Sequence, residues 1–378
     1  MKNRRDWLKT TLALAGGLPL GATLADRLMA APVSEAEKIF FSTRPQVPVK
    51  IRLASNENPY GPSEKVKQAI AATISETNRY PFKAAVDFKE VLAAKEGVTP
   101  DHIAVGAGSA DLLSATGAAF SLEGGRLLSG FPTFPMLMSY AEVFKATWDK
   151  VDMNDKLAYD YEALASQIKD DTRLVFVCNP NNPTGTLVDP AIVKAFCEEV
   201  SKKVTVFSDE AYLEFLEPSK QVSMVDLVKK GANVIVSRTF SKVYGIAGLR
   251  VGYLVAKPDL IKKITRNQPG IPNNQIGLAA ARACLTDIAF MEMTRKKNAE
   301  ARKHLTDYLD KKGYFYGKSE TNFVMFDAKT DGLQTLNKLA DKGIAIRVWD
   351  YKGMQWLRVS IGTLDEMKIF TKTFDEIV

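Results

Sequence analysis

The sequence predicts an α/β fold, with a large domain built on a mostly parallel sheet that has helices on both faces, and a smaller α/β domain. Between residues 103 and 255, short apolar runs alternate with amphipathic helical stretches, which is the pattern of strand–helix–strand units. A charge-rich helical stretch follows at about residues 291–312, and three further apolar runs come after it. The chain has 378 residues, which is long enough for two hydrophobic cores.

The predicted strands are short runs of mainly apolar residues. In the large domain they are Ile103–Val105, Arg126–Leu128, Leu174–Val177, Val204–Ser208, Val234–Ser237 and Gly252–Val255, and in the small domain Phe323–Phe326, Ala345–Val348 and Trp356–Ser360. Ser63 is a candidate cap for a helix that runs to Ile74. Residues 258–291 are predicted to be helical, with a break at residues 268–272, where prolines and a glycine occur.

The chain divides into four predicted segments. Residues 1–31 are a signal segment, residues 32–75 form an N-terminal arm and part of the small domain, residues 76–290 form the large domain, and residues 291–378 form the small C-terminal domain. Polar and reactive residues follow several of the predicted strands, where an open α/β sheet binds its ligand. The sequence therefore predicts a ligand site at one edge of the large sheet.

Composition and charge argue against several classes of protein. The chain is 46% hydrophobic and 25% charged, and its formal charge of +7 is not clustered, so it gives no support for a nucleic-acid partner. Cys178, Cys197 and Cys284 form no Cys-x-x-Cys pair, and His102 and His304 lack the spacing of metal ligands. We therefore expect no metal site, no disulfide framework and no serine–histidine–aspartate triad.

The first 31 residues have the pattern of an export signal. The segment Asn3-Arg-Arg-Asp-Trp-Leu-Lys9 resembles the twin-arginine signal, and the apolar run after it is too short and too rich in glycine for stable membrane insertion. We expect export through the twin-arginine machinery to the periplasm, and a cytoplasmic location if the signal is not used. The alternative is an amphipathic helix that packs on the rest of the protein.

Five sequence blocks carry the functional prediction. They are Asn56-Glu-Asn-Pro-Tyr-Gly-Pro-Ser63, Asn179-Pro-Asn-Asn-Pro-Thr-Gly185, Asp209-Glu-Ala-Tyr212, residues 239–253 and Leu357-Arg-Val-Ser-Ile-Gly362. In the fourth block Lys242 follows a short hydroxylated segment, and Arg250 comes eight positions later. A lysine amine can form an imine with pyridoxal 5′-phosphate (PLP), while hydroxyls and a guanidinium bind the phosphate.

These blocks, in this order, resemble the fold type I PLP-dependent aminotransferases, and within them the histidinol-phosphate aminotransferase group. The resemblance extends from about Leu53 to Val378. It implies the PLP-dependent transferase fold type I, PLP as cofactor and a homodimer with shared active sites. It also implies transfer of an amino group from a small-molecule donor, histidinol phosphate or an aromatic amino acid, to a 2-oxo acid such as 2-oxoglutarate.

The resemblance implies catalytic roles for three residues. Lys242 forms the imine and then moves a proton between the substrate α-carbon and the cofactor. Asp209 faces the pyridine nitrogen and keeps it protonated, which makes the ring an electron sink. Tyr212, together with Asn182, forms hydrogen bonds with the phenolic oxygen of the cofactor and so lowers the pKa of the imine.

The resemblance also implies binding roles. The phosphate is held by Thr239, Ser241, Arg250 and the backbone amides of Ser109 and Ala110. Phe134 stacks on the pyridine ring, and Tyr80 reaches the phosphate of the other subunit. Arg358 binds the substrate α-carboxylate with its planar fork of donors. Arg347 and the partner subunit's Tyr60 surround the substrate side chain.

One stretch departs from the family pattern, and two alternative functions stay open. In relatives an aromatic residue and an asparagine directly follow the proline of the stretch Arg266–Asn274, so the sequence here predicts a reshaped substrate pocket. The first alternative is a PLP-dependent decarboxylase on the same scaffold. The second is a non-catalytic PLP-binding module, which in relatives is fused to a DNA-binding region. No basic helix-turn-helix segment occurs in this sequence.

Overall fold

The structure, a computed structural model, describes residues 48–378. The predicted signal segment and residues 32–47 of the predicted N-terminal arm lie outside this range. The strands are β1 Ile51–Arg52, β2 Ile103–Ala107, β3 Arg126–Phe131, β4 Thr147–Asp152, β5 Thr172–Cys178, β6 Thr205–Asp209, β7 Val234–Thr239, β8 Val251–Val255, β9 Phe323–Asp327, β10 Ile344–Ala345, β11 Arg347–Tyr351 and β12 Met354–Ser360.

Twelve α-helices lie within residues 48–378. They are α1 Glu64–Thr73, α2 Phe82–Glu96, α3 Ser109–Ala119, α4 Met136–Val143, α5 Tyr161–Ser166, α6 Pro190–Val200, α7 Val225–Lys229, α8 Pro258–Thr265, α9 Gln275–Cys284, α10 Ile288–Lys311, α11 Gly332–Asp341 and α12 Leu364–Ile377. Ser63 caps α1, since its hydroxyl accepts a hydrogen bond from the amide of Val66. The predicted break at residues 268–272 separates α8 from α9.

Seven strands form the large sheet, in the order β2-β8-β7-β6-β5-β3-β4. Strands β3 to β7 are parallel to one another, and β8 is antiparallel to both β2 and β7. Successive residues of a strand point to opposite faces. Val175 and Val177 of β5 accordingly join one core with helices α2, α6 and α9, while Leu174 and Phe176 join a second core with α3, α4 and α8. This arrangement confirms the predicted α/β fold class.

The edge strand β4, Thr147–Asp152, is absent from the predicted strands. Its sequence, Thr-Trp-Asp-Lys-Val-Asp, contains only two apolar residues, Trp148 and Val151, and every residue of the strand is at least partly exposed. A strand with one neighbour and a solvated face needs no continuous apolar run. Strands of this kind therefore have no apolar run in the sequence.

The C-terminal part of the chain has a core of its own. Strands β11, β12 and β9 form an antiparallel sheet in that order, and β1 pairs in parallel with β10. Leu305, Phe326 and Phe370 pack in this core together with Leu53 from the beginning of the described range. The predicted strand Ala345–Val348 is interrupted at Ile346, which separates β10 from β11.

The predicted domain boundaries stay a prediction, although two contacts bear on residues 48–75. Ile51 pairs with Ile344 of the C-terminal part, whereas α1 packs against α9 and its Val66 belongs to the core of the large sheet. The long helix α10 begins at Ile288, three residues before the predicted start, because Asp287 caps it by accepting a hydrogen bond from the Phe290 amide. No helix within residues 48–378 is long and apolar enough to cross a membrane.

Candidate active site

One edge of the large sheet holds most of the predicted site residues. Cys178 ends β5 and Asp209 ends β6, and the two residues are paired in the sheet. Thr239 ends β7, three residues before Lys242. Strand β2 runs parallel to β7, because each is antiparallel to β8, so Ser109 at the start of α3 lies at the same edge. Ligands of open α/β sheets bind at this edge.

Lys242 is half-buried in the centre of the site. Its Nζ donates to the backbone carbonyl oxygens of Ser55 and Asn56, at 3.4 and 3.3 Å, and lies 5.7 Å from the centre of the Tyr212 ring. Burial, and then the positive charge of Arg358, lower the pKa of Lys242 to about 8. With this pKa roughly a tenth of the amine is uncharged at pH 7 and about half at pH 8, and the uncharged amine is the form that attacks a carbonyl carbon.

Asp209 is a buried carboxylate that makes no ion pair within residues 48–378. It is 3% exposed, and its Oδ1 accepts a hydrogen bond of 3.2 Å from the amide of Ala211. Burial, together with the negative charge of Glu210, raises the pKa of Asp209 to about 7. A cation placed beside this carboxylate would restore its ionised form, so the site is suited to a cationic ligand group.

Glu210, the residue after Asp209, belongs to a buried network of charged side chains. Its Oε2 lies 3.0 Å from Nε of Arg238, and Arg238 also donates from Nη1 to Oε1 of Glu214 at 2.8 Å. The remaining hydrogen bonds of the Glu210 carboxylate come from the Ser223 hydroxyl and the Met224 amide, both at 2.7 Å. The sequence prediction did not include this network, which fixes the segment that carries Asp209.

Arg358 joins three segments of the chain. Its Nη1 donates to Oδ1 of Asn182 at 2.7 Å, and its Nη2 donates to the carbonyl of Ala54 at 2.8 Å. The guanidinium carbon lies 5.4 Å from the ring centre of Phe323 and 5.9 Å from that of Trp349. Both rings help to fix the plane of the guanidinium. The structure thus brings together two predicted site residues, one for the cofactor and one for the substrate.

Arg347 lies directly opposite Arg358 in the register of β11 and β12. Its Nε donates to the same carbonyl of Ala54, at 3.1 Å. Two guanidinium groups therefore stand next to each other at the edge of the site, an arrangement suited to a ligand with more than one anionic group.

Arg250 lies among hydrogen-bond donors of the kind that bind a phosphate. Its Nη1 donates to the Ser241 hydroxyl at 3.2 Å and to the carbonyl of Ala247 at 3.0 Å. The Ser241 amide in turn donates to Oγ1 of Thr239 at 3.1 Å. A Cβ atom added at Gly108, whose φ is +79°, would lie 2.2 Å from Nη2 of Arg250. Only glycine leaves room for the guanidinium next to the N-terminus of α3 and its free amides at Ser109 and Ala110.

Three further predicted residues lie in different surroundings. Tyr80 is 76% exposed and contacts the ring of Phe82, with 5.8 Å between the ring centres. Tyr60 is partly buried below Nζ of Lys297, and burial raises the pKa of its hydroxyl. Phe134 packs against the core formed by α3, α4 and α8. The binding roles of these three residues stay predictions.

Asn56, in the first of the five sequence blocks, is a site residue that the sequence does not predict. It is 2% exposed and has a left-handed backbone, with φ of +53°. Its Nδ2 donates to the Tyr212 hydroxyl at 3.0 Å, its amide donates to the Ser360 hydroxyl at 2.8 Å, and its carbonyl accepts from Lys242 and Asn322. The signal available in the sequence was an asparagine before a turn, since asparagine tolerates this backbone better than most residues.

A buried polar chain, also absent from the prediction, supports the loop that carries Asn182. The Tyr159 hydroxyl donates to Oγ1 of Thr133 at 2.9 Å, and that hydroxyl donates to Oδ1 of Asn181 at 2.8 Å. Asn181 Nδ2 donates to Oγ1 of Thr184 at 3.0 Å. Because each polar group has a partner, the chain can be buried at little cost while it holds both loops of the site in place.

Comparison with known proteins agrees with this geometry. Residues 48–374 match the family model described as aminotransferase class I and II. The chain belongs to this family. The family assignment confirms the predicted transaminase and, with it, the predicted dependence on pyridoxal 5′-phosphate.

Several similar proteins within the family are named histidinol-phosphate aminotransferases, the group that the sequence blocks resemble. A histidinol-phosphate aminotransferase from Brevibacillus brevis is 36% identical over 87% of this chain and 90% of the relative. Histidinol-phosphate aminotransferase 1 from Cupriavidus pinatubonensis is also 36% identical, over 90% of both chains. The crystal structure of a histidinol-phosphate aminotransferase from Sinorhizobium meliloti, in complex with pyridoxal-5′-phosphate, has a TM-score of 0.84 at 26% identity, over 93% of this chain and 96% of that one.

The residues at the site fit PLP in three respects. Asp209 is buried without an ion-pair partner inside residues 48–378, and a pyridinium would supply the missing cation. Arg250 and the Ser241 hydroxyl lie beside the N-terminus of α3, and together they offer donors suited to a phosphate. Lys242 has an amine whose lowered pKa suits attack on an aldehyde.

Proposed function

We propose that this chain transfers an amino group from histidinol phosphate or an aromatic amino acid to a 2-oxo acid such as 2-oxoglutarate. The observation that carries the proposal is the paired arrangement of Arg347 and Arg358 at the edge of a site centred on Lys242. A donor phosphate or carboxylate and the two carboxylates of 2-oxoglutarate are the groups that a pair of guanidinium forks binds well. The names of the relatives from Brevibacillus brevis and Cupriavidus pinatubonensis support histidinol phosphate as donor.

The residues of the site would divide the work as follows. PLP, when bound, supplies an electron sink for the bond that breaks at the substrate α-carbon. Nζ of Lys242, with a pKa of about 8, can accept the proton that leaves this carbon and donate it again at a later step. Asp209 would hold the proton of the pyridine nitrogen, and Arg358, held by Asn182, would orient the substrate.

The proposal is tested by absorbance of the purified holoenzyme during addition of single donors. Histidinol phosphate, phenylalanine, tyrosine, aspartate and glutamate are each added without a 2-oxo acid. We expect one donor to convert the cofactor to its amino form, and 2-oxoglutarate to reverse the change. Loss of carbon dioxide without any need for a 2-oxo acid would instead identify a decarboxylase. The Lys242→Ala variant is the control, and full turnover by this variant would refute the assignment.

We also propose that the enzyme is a homodimer with shared active sites. The support is a group of exposed apolar side chains on α2 and in the segment between α1 and α2, where Ile74, Tyr80, Phe82 and Val86 are each more than half exposed. Isolated exposed apolar side chains are common, but a cluster of this kind indicates a contact surface. We expect sedimentation to give twice the mass of the chain, and Phe82→Asp with Val86→Asp to give monomers with little activity. A fully active monomer would contradict the shared site.

Export is a third proposal, and it rests on the arginine pair in residues 3–9. The twin-arginine pathway carries folded proteins, so the cofactor could be loaded before translocation. Fractionation of cells that express the whole chain tests it. We expect a shortened protein in the periplasm, and retention in the cytosol when Arg4 and Arg5 are both replaced by lysine. Uncleaved wild-type protein found only in the cytosol would contradict the proposal.

A further inference from the structure

Tyr212 is held by a residue outside the predicted set. Nδ2 of Asn56 donates to the Tyr212 hydroxyl at 3.0 Å, and both side chains are almost completely buried. The ring of Tyr212 is fixed by an edge contact with Phe323, with 5.1 Å between the ring centres. The hydroxyl therefore has a defined position, and the only freedom left to it is the direction of its proton.

The orientation of the Asn56 amide follows from its other contacts. Ser360 Oγ accepts a hydrogen bond of 2.8 Å from the backbone amide of Asn56, and donates its own proton to Oδ1 of Asn56 at 2.9 Å. With Oδ1 occupied in this way, Nδ2 is the end of the amide that faces Tyr212. The left-handed backbone at Asn56, with φ of +53°, makes this double contact with one serine possible.

The direction of the hydrogen bond at Tyr212 has a chemical consequence. A tyrosine hydroxyl has one proton, so a hydroxyl that accepts from Asn56 has that proton available for another acceptor. The charged or titratable groups that act on Tyr212 are Arg358, Cys178 and Asp209, with Nζ of Lys242 above its ring. Arg358 is a donor, to Asn182 and Ala54, and Lys242 in its ammonium form, the major one at pH 7, has no acceptor capacity. Within residues 48–378 the Tyr212 hydroxyl accepts from Asn56 and donates to no acceptor, Asp209 and Cys178 included, so its proton can go to a ligand in the site.

We propose that Asn56, oriented by Ser360, is a positioning residue that directs the hydroxyl proton of Tyr212 toward the phenolic oxygen of the cofactor. This inference rests on the proposed function, and it adds two residues to the set that controls the cofactor. Donation to the phenolic oxygen stabilises its negative charge, so the pH at which the bound cofactor changes its visible absorbance should depend on Asn56. The backbone carbonyl of Asn56, which accepts from Lys242, is unaffected by a change of side chain.

The test is a pH titration of the visible absorbance of the holoenzyme, without any donor, together with the dissociation constant of the cofactor. Asn56→Asp keeps the acceptor for Ser360 but offers Tyr212 a carboxylate, so Tyr212 should donate to that carboxylate and no longer to the cofactor. We expect the midpoint to rise by about one pH unit or more. Asn56→Gly keeps the left-handed backbone and removes the amide, and should raise the midpoint by less. Ser360→Ala frees the Asn56 amide to turn, and the midpoint should rise by an amount between those of Asn56→Gly and Asn56→Asp.

Asn322→Ala is the matched control. Asn322 donates to the carbonyls of Asn56 and Glu57 and so supports the same loop, but it does not contact Tyr212. Its loss should lower the melting temperature and leave the absorbance midpoint in place. An equal midpoint in wild type, Asn56→Asp and Asn56→Gly would overturn the proposal, as would an equal shift in Asn322→Ala. Because the readout needs no donor, failure of the proposed transamination would be seen separately, in the donor titration of wild-type enzyme.

Discussion

Arg358 donates a hydrogen bond of 2.7 Å to the side-chain oxygen of Asn182, a residue 176 positions earlier in the chain. Strand β12 is thereby tied to the loop that follows β5, and the second amino group of the same guanidinium reaches Ala54 near the start of the described range. The planar group that is expected to bind the substrate is therefore positioned by the loop that is expected to bind the cofactor. A substitution at one of these residues should affect the other.

The first prediction concerns the shape of the Arg358 side chain. Arg358→Lys keeps the charge but lacks the planar fork, so it cannot keep the hydrogen bonds to Asn182 and Ala54 and also offer two parallel donors to a substrate anion. We expect kcat/KM for the donor to fall about 100-fold or more, which corresponds to about 3 kcal/mol of transition-state stabilisation. The rate of the donor half-reaction measures it. Arg52→Lys, at an exposed arginine paired with Glu57, is the control and should change the rate less than about twofold.

The second prediction uses the raised pKa of Asp209, which is about 7 instead of the ordinary value of 3.8. Between these pH values the folded apoenzyme holds a proton that the unfolded chain has released, so the free energy of unfolding falls as the pH rises through this window. Asp209→Asn removes this dependence. We expect the variant apoenzyme to be more stable than wild type by about 2–4 kcal/mol above pH 7, and no more stable near pH 4.

The affinity for the cofactor should change in the opposite direction from the stability of the apoenzyme. An asparagine cannot pair with a pyridinium, so Asp209→Asn should bind PLP more weakly although its apoenzyme is more stable. Urea denaturation of apoenzyme near pH 4 and at pH 8, and the dissociation constant of PLP, measure the two effects. A variant apoenzyme less stable than wild type at pH 8 would show that Asp209 is ionised and well compensated without the cofactor.

The third prediction tests the space around the guanidinium of Arg250. In Gly108→Ala the new Cβ would lie 2.2 Å from Nη2 of Arg250, and the long arginine side chain would move away from it. The positive φ at residue 108 adds backbone strain of about 1 kcal/mol. We expect the affinity for PLP to fall about tenfold or more. Gly248→Ala is the control, because its Cβ would meet nothing within 4 Å and its backbone is not left-handed. Equal affinity of the two variants would contradict a phosphate pocket here.

Much of the fold was predictable because its strands are buried on both faces. A continuous apolar run such as Leu174–Val177 marks a central parallel strand without any knowledge of its neighbours. The edge strand β4 was not predictable in this way, since half of its residues face solvent. The pairing of β1 with β10 joins residues almost 300 positions apart, and a single sequence contains no information about such a contact.

The candidate site was predictable where one residue carries the chemistry, as Lys242 and Asp209 do. It was not predictable where a residue acts through another. Asn56 matters because its backbone is left-handed and because Ser360, 304 positions later, turns its amide toward Tyr212. Arg238 likewise lies in the sequence of an ordinary strand, and only the fold places two glutamates beside it. Such contacts depend on tertiary geometry, which the residue types alone do not specify.

The fourth prediction concerns the charge network next to Asp209. Arg238→Met would leave Glu210 and Glu214 buried without a cation, and loss of one partner of a buried ion pair costs about 3–5 kcal/mol. We expect urea denaturation to show a loss of this size. The control is Lys303→Met, which removes an exposed pair with Asp307 and should cost less than about 0.5 kcal/mol.

The same substitution should also act on the cofactor, because the charge of Glu210 is one of the causes of the raised pKa of Asp209. Without Arg238 this charge is no longer compensated, so the pKa of Asp209 should rise further and PLP should bind more weakly. Arg238→Met combined with Glu210→Gln removes the uncompensated charge at Glu210 and should recover part of both the stability and the affinity. If the double variant regains stability but not affinity, the network supports the fold alone and does not influence Asp209.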